Sequence, residues 1–178
     1  MEKEKRIKTI CVLGAESTGT TTLAKSLAKH YKTAWVAEYG REYCEKNNKL
    51  ENDTWTSEEF EHIALEQNKL EDRFKERANK ILICDTNAFA TNLWHERYMG
   101  FMSPTVKKLA DTRAYNLYIL TDVDIPFVQD GTRDGEFIRH DMHKRFLEEL
   151  QKQQTPFIIV SGSRNKRISD SVRVIDTI

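Results

Sequence analysis

The stretch KTICVLGAESTGTTTLAKSL constrains the fold more than any other part of the chain. A short apolar run ends in Gly14, a loop closes on Gly19, and helical periodicity follows with Leu23, Leu27 and Tyr31 on one face. In a strand, glycine loop and helix so joined, backbone N–H groups and the helix dipole can hold a phosphate. The pattern is that of the phosphate loop G-x-x-x-x-G-K-[ST], except that Thr20 stands where the lysine belongs. Gly14 and Gly19 permit close backbone approach, and Thr21 occupies the position of a Mg²⁺-ligating hydroxyl. An isolated match of this kind reads as a tight strand-to-helix turn; the position between strand and helix favours phosphate. The expected phosphate-binding residues are Gly14, Ala15, Glu16, Ser17, Thr18, Gly19, Thr20, Thr21 and Thr22.

The missing lysine matters because it normally brings a positive charge to the β- and γ-phosphates. Thr20 supplies a hydroxyl and no charge, so other cations must serve: Mg²⁺, and arginines among Arg41, Arg133 and Arg139. Arg133 and Arg139 lie in a segment at about 122–140, after the fourth apolar run, where a lid would close and exclude water. A solvated face is the alternative for both.

Short apolar runs alternate with longer helical patterns along the chain. The strands expected are KTICVLG, TAWVAEY, KILICDT, NLYILTD and PFIIVSG. A long helix should begin at TSEE, where Thr56 and Glu59 have capping-box spacing, with Phe60, Ile63, Ala64, Gln67, Phe74 and Ala78 forming its apolar stripe. Helices are also expected over NAFATNLWHERYMG, over SPTVKKLADTR, from about Glu136 to Gln153, and from about Arg164 onward. Unbroken apolar strands separated by helices predict a three-layer α/β domain with a mainly parallel five-stranded sheet. No repeat, low-complexity tract or linker interrupts the 178 residues, which read as a single domain.

In open α/β sheets ligands gather at the carboxyl ends of the strands. Glu38, in VAEYGRE, and Asp85, in ILICDT, stand there. Asp85, ending an apolar strand, suits a Mg²⁺ ligand opposite Thr21, and Glu38 suits a base for a substrate hydroxyl. On this reading the two roles can be exchanged, and a cap or turn is the plain alternative for each. Arginine, acid and loop together point to phosphoryl transfer, with Glu38, Asp85 and Arg133 as the catalytic candidates.

The 28 basic and 28 acidic side chains leave no net charge, which argues against nucleic acid as a partner despite the basic spot SRNKR. The apolar part of the N-terminus is too short for a signal peptide or a membrane span, so a cytoplasmic protein without a membrane partner is expected. The three cysteines read as free buried thiols, and the five histidines, including His140 and His143, as surface or helix-face residues without zinc spacing. Self-association into a homo-oligomer is left open.

With these residues assembled, the sequence resembles the ribosylnicotinamide kinase domain of NadR-type proteins over almost its whole length. The resemblance rests on the opening LGAES.G, on EYGREY at Glu38 to Tyr43, and on IAL at Ile63 to Leu65. It extends through DT at Asp85 and Thr86, then Tyr98 and Gly100, to DGTR at Asp130 to Arg133. It implies a P-loop kinase fold with strand order 2-3-1-4-5 that phosphorylates the 5′-hydroxyl of nicotinamide riboside with ATP and Mg²⁺. It further implies ATP phosphates on Gly14 to Thr22, Mg²⁺ at Thr21 and Asp85, and the riboside near Glu38, Tyr39 and Arg41. A pyridinium substrate favours aromatic walls beside a carboxylate, and Tyr39 and Trp55 are the preferred ones among Trp35, Tyr39, Trp55, Trp94 and Tyr98. SGSR, ending in Arg164, lies where relatives of this fold contact adenine, although a serine helix cap explains the same residues. Thr20 departs from the family loop. The larger NadR proteins also carry DNA-binding and adenylyltransferase modules, for which 178 residues leave no room. The competing functions are a kinase for another nucleoside, or a nucleotide-binding sensor without turnover.

Overall fold

A computed structural model describes residues 6–50, 53–128 and 135–178. Among them are five strands, β1 Lys8–Gly14, β2 Trp35–Val36, β3 Ile81–Asp85, β4 Leu117–Thr121 and β5 Phe157–Val160. All pair in parallel, in the order β2-β3-β1-β4-β5. The helices are α1 Thr20–Tyr31, α2 Tyr39–Asn47, α3 Ser57–Lys75, α4 Ala88–Met99, α5 Pro104–Asp111, α6 Arg139–Leu150 and α7 Arg164–Ile175. A single 3₁₀ turn, Glu136–Ile138, leads into α6.

Strand alternation sends side chains to both faces, and helices cover both. Ile10, Val12, Ile83, Leu117 and Ile119 pack with Leu23 and Leu27 of α1 and Ile175 of α7. Cys11, Leu13, Cys84, Tyr118 and Leu120 pack with Ala90 and Leu93 of α4 and Met142, Phe146 and Leu150 of α6. The three-layer architecture and the strand order are those expected. Cys11 and Cys84 are free and buried as neighbours in register.

The long helix starts where predicted. Thr56 accepts from the Glu59 N–H at 3.3 Å, and Glu59 accepts from the Thr56 N–H at 2.9 Å, a complete capping box. The apolar run TAWVAEY yields only two strand residues, and EYGREY opens an unpredicted helix, α2. The cause is buried Gln67 of α3, whose side chain accepts from the Tyr39 N–H at 2.8 Å and donates to the Ala37 carbonyl at 3.4 Å. These bonds take the backbone groups that a longer edge strand would have paired. His95 corrects the reading of the histidines: it is fully buried, between the Phe101 carbonyl at 2.7 Å and the Ser57 hydroxyl at 2.8 Å.

The core also holds a carboxyl. Glu71 is 4% exposed, and the Tyr115 hydroxyl lies 2.9 and 3.0 Å from its two oxygens. Burial pushes Glu71 up to about 7, while the Tyr115 bond and the Arg113 charge oppose the rise. The folded protein therefore keeps a proton that the unfolded chain releases near its ordinary value of 4.5. Stability attributable to this group falls as pH rises from the unfolded value to the folded one, by up to about 3 kcal/mol. Glu71→Gln retains an acceptor for Tyr115 and cannot ionise. Its melting temperature should decline less between pH 5 and 7.5 than the wild type's, as measured by calorimetry; parallel curves would exclude Glu71 as the cause.

Candidate active site

Parallel register sets the floor of the site. Val12 lies opposite Asp85, and Gly14 opposite Thr121, so the ends of three strands converge on the start of the glycine loop. A Cβ on Gly14 would stand 2.1 Å from Thr121 Oγ1 and 2.7 Å from Thr18 Oγ1, a space only glycine leaves open. Thr18 Oγ1 lies 2.7 Å from both the Ala15 carbonyl and Thr121 Oγ1, tying the loop to β4. Gly19, at φ 85°, turns the chain into α1, and no side chain caps that helix. Its first N–H groups and positive dipole end remain available to an anion.

The loop's carbonyls point to two buried guanidinium groups. Arg139 donates to the carbonyls of Glu16 at 3.0 Å, Ser17 at 3.2 Å and Ile125 at 2.9 Å. Arg167 donates to the carbonyls of Thr18 at 2.6 Å and Gly162 at 3.0 Å, and pairs with Asp124. Arg139 and Arg167 are each 4% exposed. Arg139 is among the expected phosphate-binding residues; its Nε and Nη2 donate to backbone carbonyls of the loop and of Ile125. Arg167, within the basic spot SRNKR, is bound into the loop backbone. Val128, within the segment 122–140, donates from its N–H to Ser17 Oγ at 2.8 Å and fastens that stretch to the loop. Arg133 and Asp130 lie outside the described residues.

Asp85, 1% exposed, accepts a hydrogen bond from the Thr21 hydroxyl at 2.5 Å through Oδ2. Its Oδ1 is buried without a hydrogen-bond partner in the protein. Burial raises the Asp85 pKa, against the Thr21 hydrogen bond and nearby positive charge that lower it. One carboxylate and one hydroxyl at a phosphate loop suit Mg²⁺, a hard cation that commonly takes few protein oxygens and completes its shell with water and phosphate. The unpartnered Oδ1 is the observation that fits this ion. Among the described residues no cluster of three or more His, Cys, Asp or Glu side chains could hold a metal.

Two cavities meet here. The first is lined by the loop from Leu13 to Thr22 together with Glu38, Arg41, Asp85, Thr86 and Trp94. The second, walled mainly by α2, α3 and α4, is lined by Trp55, Phe60, Ile63, Trp94 and Tyr98, with Cys44 and Gln67. Glu16, Glu38, Arg41, Thr86 and Trp94 line both. Glu38 is the N-cap residue of α2, and Arg41 Nε lies 4.0 Å from Glu38 Oε2. Thr86 has φ 67°, a strained conformation for a β-branched residue, at the junction of the two cavities. Burial, followed by the charges of Glu38 and Glu16, pushes Cys44 up to about 11, which keeps this thiol protonated.

The structure brings Glu38, Arg41 and Trp55 to the second cavity, and Thr21 and Asp85 to the first. Tyr39, an expected wall, faces elsewhere: its hydroxyl lies 3.1 Å from His62 Nε2, and it lines an outer groove with Trp35. Trp94 and Tyr98 take the place foreseen for it. Arg164 lines a separate pocket with Gly19 and Thr22 and donates to Ser26 Oγ at 3.0 Å. Ser163 caps α7 by accepting from the Lys166 N–H at 3.3 Å. Gln67 reads in the sequence only as part of the α3 stripe, and its bonds to the backbone around Glu38 reach residues 28 and 30 positions away.

Glycine loop, strand order and strand-end carboxylate together define a P-loop nucleotide-binding protein. A family profile described as an AAA domain matches residues 9–167, and the chain belongs to that family. It is similar to the trifunctional NAD biosynthesis/regulator protein NadR of Salmonella typhimurium, 30% identical over 148 residues, or 83% of this chain and 36% of NadR. The chain thus spans little more than a third of that relative's length. A crystal structure of a NadR protein in complex with NR superposes with a TM-score of 0.80 at 22% identity, covering 97% of this chain and 52% of the other. Thymidylate kinase from Candida albicans shares the fold at a TM-score of 0.69 and 15% identity, over 97% of this chain and 92% of its own. Among the described residues no helix is long and apolar enough to cross a membrane.

Gly14→Ala should weaken binding of a fluorescent ATP analogue by about tenfold or more, because the new methyl displaces Thr121 or the loop. Adding Thr121→Ala should recover part of that affinity. An unaltered affinity in the single variant would show that the close approach has no part in binding.

Proposed function

We propose that this chain is a kinase that transfers the γ-phosphoryl group of ATP to the 5′-hydroxyl of nicotinamide riboside, giving nicotinamide mononucleotide and ADP. One observation carries the reading: a phosphate-type cavity and an aromatic cavity open onto each other, with the Glu38 carboxylate at the junction. The similarity to NadR, and to a NadR structure solved with NR, supports the choice of acceptor. So does chemistry, since a pyridinium ring is attracted to aromatic faces and to a nearby carboxylate.

In this reading the N–H groups of the glycine loop and the start of α1 hold the phosphates of ATP. Asp85 and Thr21 would hold Mg²⁺, which would neutralise charge on the phosphates. Glu38 accepts the proton of the 5′-hydroxyl as its oxygen bonds to the γ-phosphorus; the bond from that phosphorus to the bridging oxygen breaks, and its electron pair leaves with ADP. Glu38 suits the base better than Asp85 because it lines the acceptor cavity, whereas Asp85 is buried behind the loop and bonded to Thr21. Trp55, Trp94 and Tyr98 wall the acceptor side, and Arg164 lies beside the loop on the side suited to the adenosine.

The test is a product assay with purified protein, ATP, Mg²⁺ and a panel of nucleosides, with nicotinamide mononucleotide measured directly. Glu38→Gln and Asp85→Asn should each lower turnover by about a hundredfold or more. Glu38→Gln should leave ATP affinity intact, while Asp85→Asn should weaken the Mg²⁺ dependence of ATP binding. Nucleotide binding without turnover of any nucleoside would replace this reading with a sensor.

A further inference from the structure

The loop lacks its lysine, yet the cavity it forms is lined by three carboxylates, those of Glu16, Glu38 and Asp85. Phosphates entering such a space need a cation besides Mg²⁺. Among the described residues, the nearby cations other than Arg41 are engaged elsewhere. Arg139 and Arg167 are buried and committed to loop carbonyls. Arg164 reaches Ser26 and lines a different pocket. Lys25, on α1, lies with its ammonium 5.1 Å from the centre of the Trp35 ring and does not line the cavity. Among the described residues lining the phosphate cavity, Arg41 is the sole lysine or arginine.

We propose that Arg41 replaces the loop lysine as the cation on the transferring phosphoryl group, delivered from the acceptor side by α2. The inference rests on the reading that ATP phosphates occupy the glycine loop. Arg41 lines both cavities, three residues after Glu38 on the same helical turn. One turn of α2 thus carries both the proton acceptor and the phosphate cation. The planar guanidinium fork engages two phosphoryl oxygens at once, where an ammonium acts as a point charge. Gln67 sets the position of this turn by holding the backbone on either side of Glu38.

The experiment compares wild type, Arg41→Ala, Arg41→Gln, Thr20→Lys and the double variant Arg41→Ala/Thr20→Lys. Binding of ATP and of ADP is measured by calorimetry with Mg²⁺, and turnover by the nicotinamide mononucleotide assay. Arg41→Ala and Arg41→Gln should weaken ATP by about tenfold, leave ADP unchanged, and lower kcat by about a hundredfold. Thr20→Lys should restore about tenfold or more of kcat in the Arg41→Ala background, and give no gain, or a loss, in the wild type. Equal loss of ATP and ADP affinity, or a raised riboside KM with ATP affinity and kcat intact, would overturn the proposal. So would an equal gain from Thr20→Lys in both backgrounds, since the charge would then be absent rather than supplied by Arg41. If the protein turns over no nucleoside, the kinase reading fails, and the ATP-against-ADP comparison still decides the role of Arg41.

Discussion

The site depends on how the glycine loop is held from behind. A loop can offer its N–H groups to phosphate only if its carbonyls find partners elsewhere. Here the carbonyls of Glu16, Ser17 and Thr18 accept from Arg139 and Arg167, two guanidinium groups at the starts of α6 and α7. Both arginines are buried, so each needs its donors satisfied, and the loop backbone supplies that need. Loop and arginines thereby fix each other, and the helices after β4 and β5 become part of the nucleotide site without lining its floor.

The same economy governs the acceptor side. Gln67, deep in α3, holds the Ala37 carbonyl and the Tyr39 N–H, which ends β2 early and leaves Glu38 as the N-cap of α2. Glu38 and Arg41 consequently project from a helix end whose place is set by a buried amide. Thr86, strained at the tip of β3, lines both cavities and is held by its N–H bond to the Val12 carbonyl at 2.8 Å. Strain, buried donors and an unpartnered carboxylate oxygen concentrate within this small region, as they do at sites that work on a ligand.

Some of this was legible in the chain itself. Unbroken apolar runs announced strands covered on both faces, and the spacing of Thr56 and Glu59 announced the start of α3, because both signals are local consequences of backbone geometry. Gly14, Gly19 and Asp85 were readable as site residues for the same reason: each sits at the end of a strand or the start of a helix. Tyr39 was misread as a pocket wall because its neighbour Glu38 faces the cavity, and only the helical start of EYGREY turns the two apart. His95 reads as a surface or helix-face residue, since polarity alone says nothing about a partner 38 residues away in sequence.

The sequence by itself determined the alternation of strands and helices, the loop with its missing lysine, and the acids at two strand ends, all set by periodicity and spacing over a few residues. Tertiary structure alone decided which cations serve the backbone and which faces the phosphate cavity. Arg139 and Arg41 are equally arginine in the chain; packing buries the first against loop carbonyls and leaves the second between two cavities. The physical reason is that a guanidinium's role is fixed by the acceptors it meets, and those come from elements that only folding brings together.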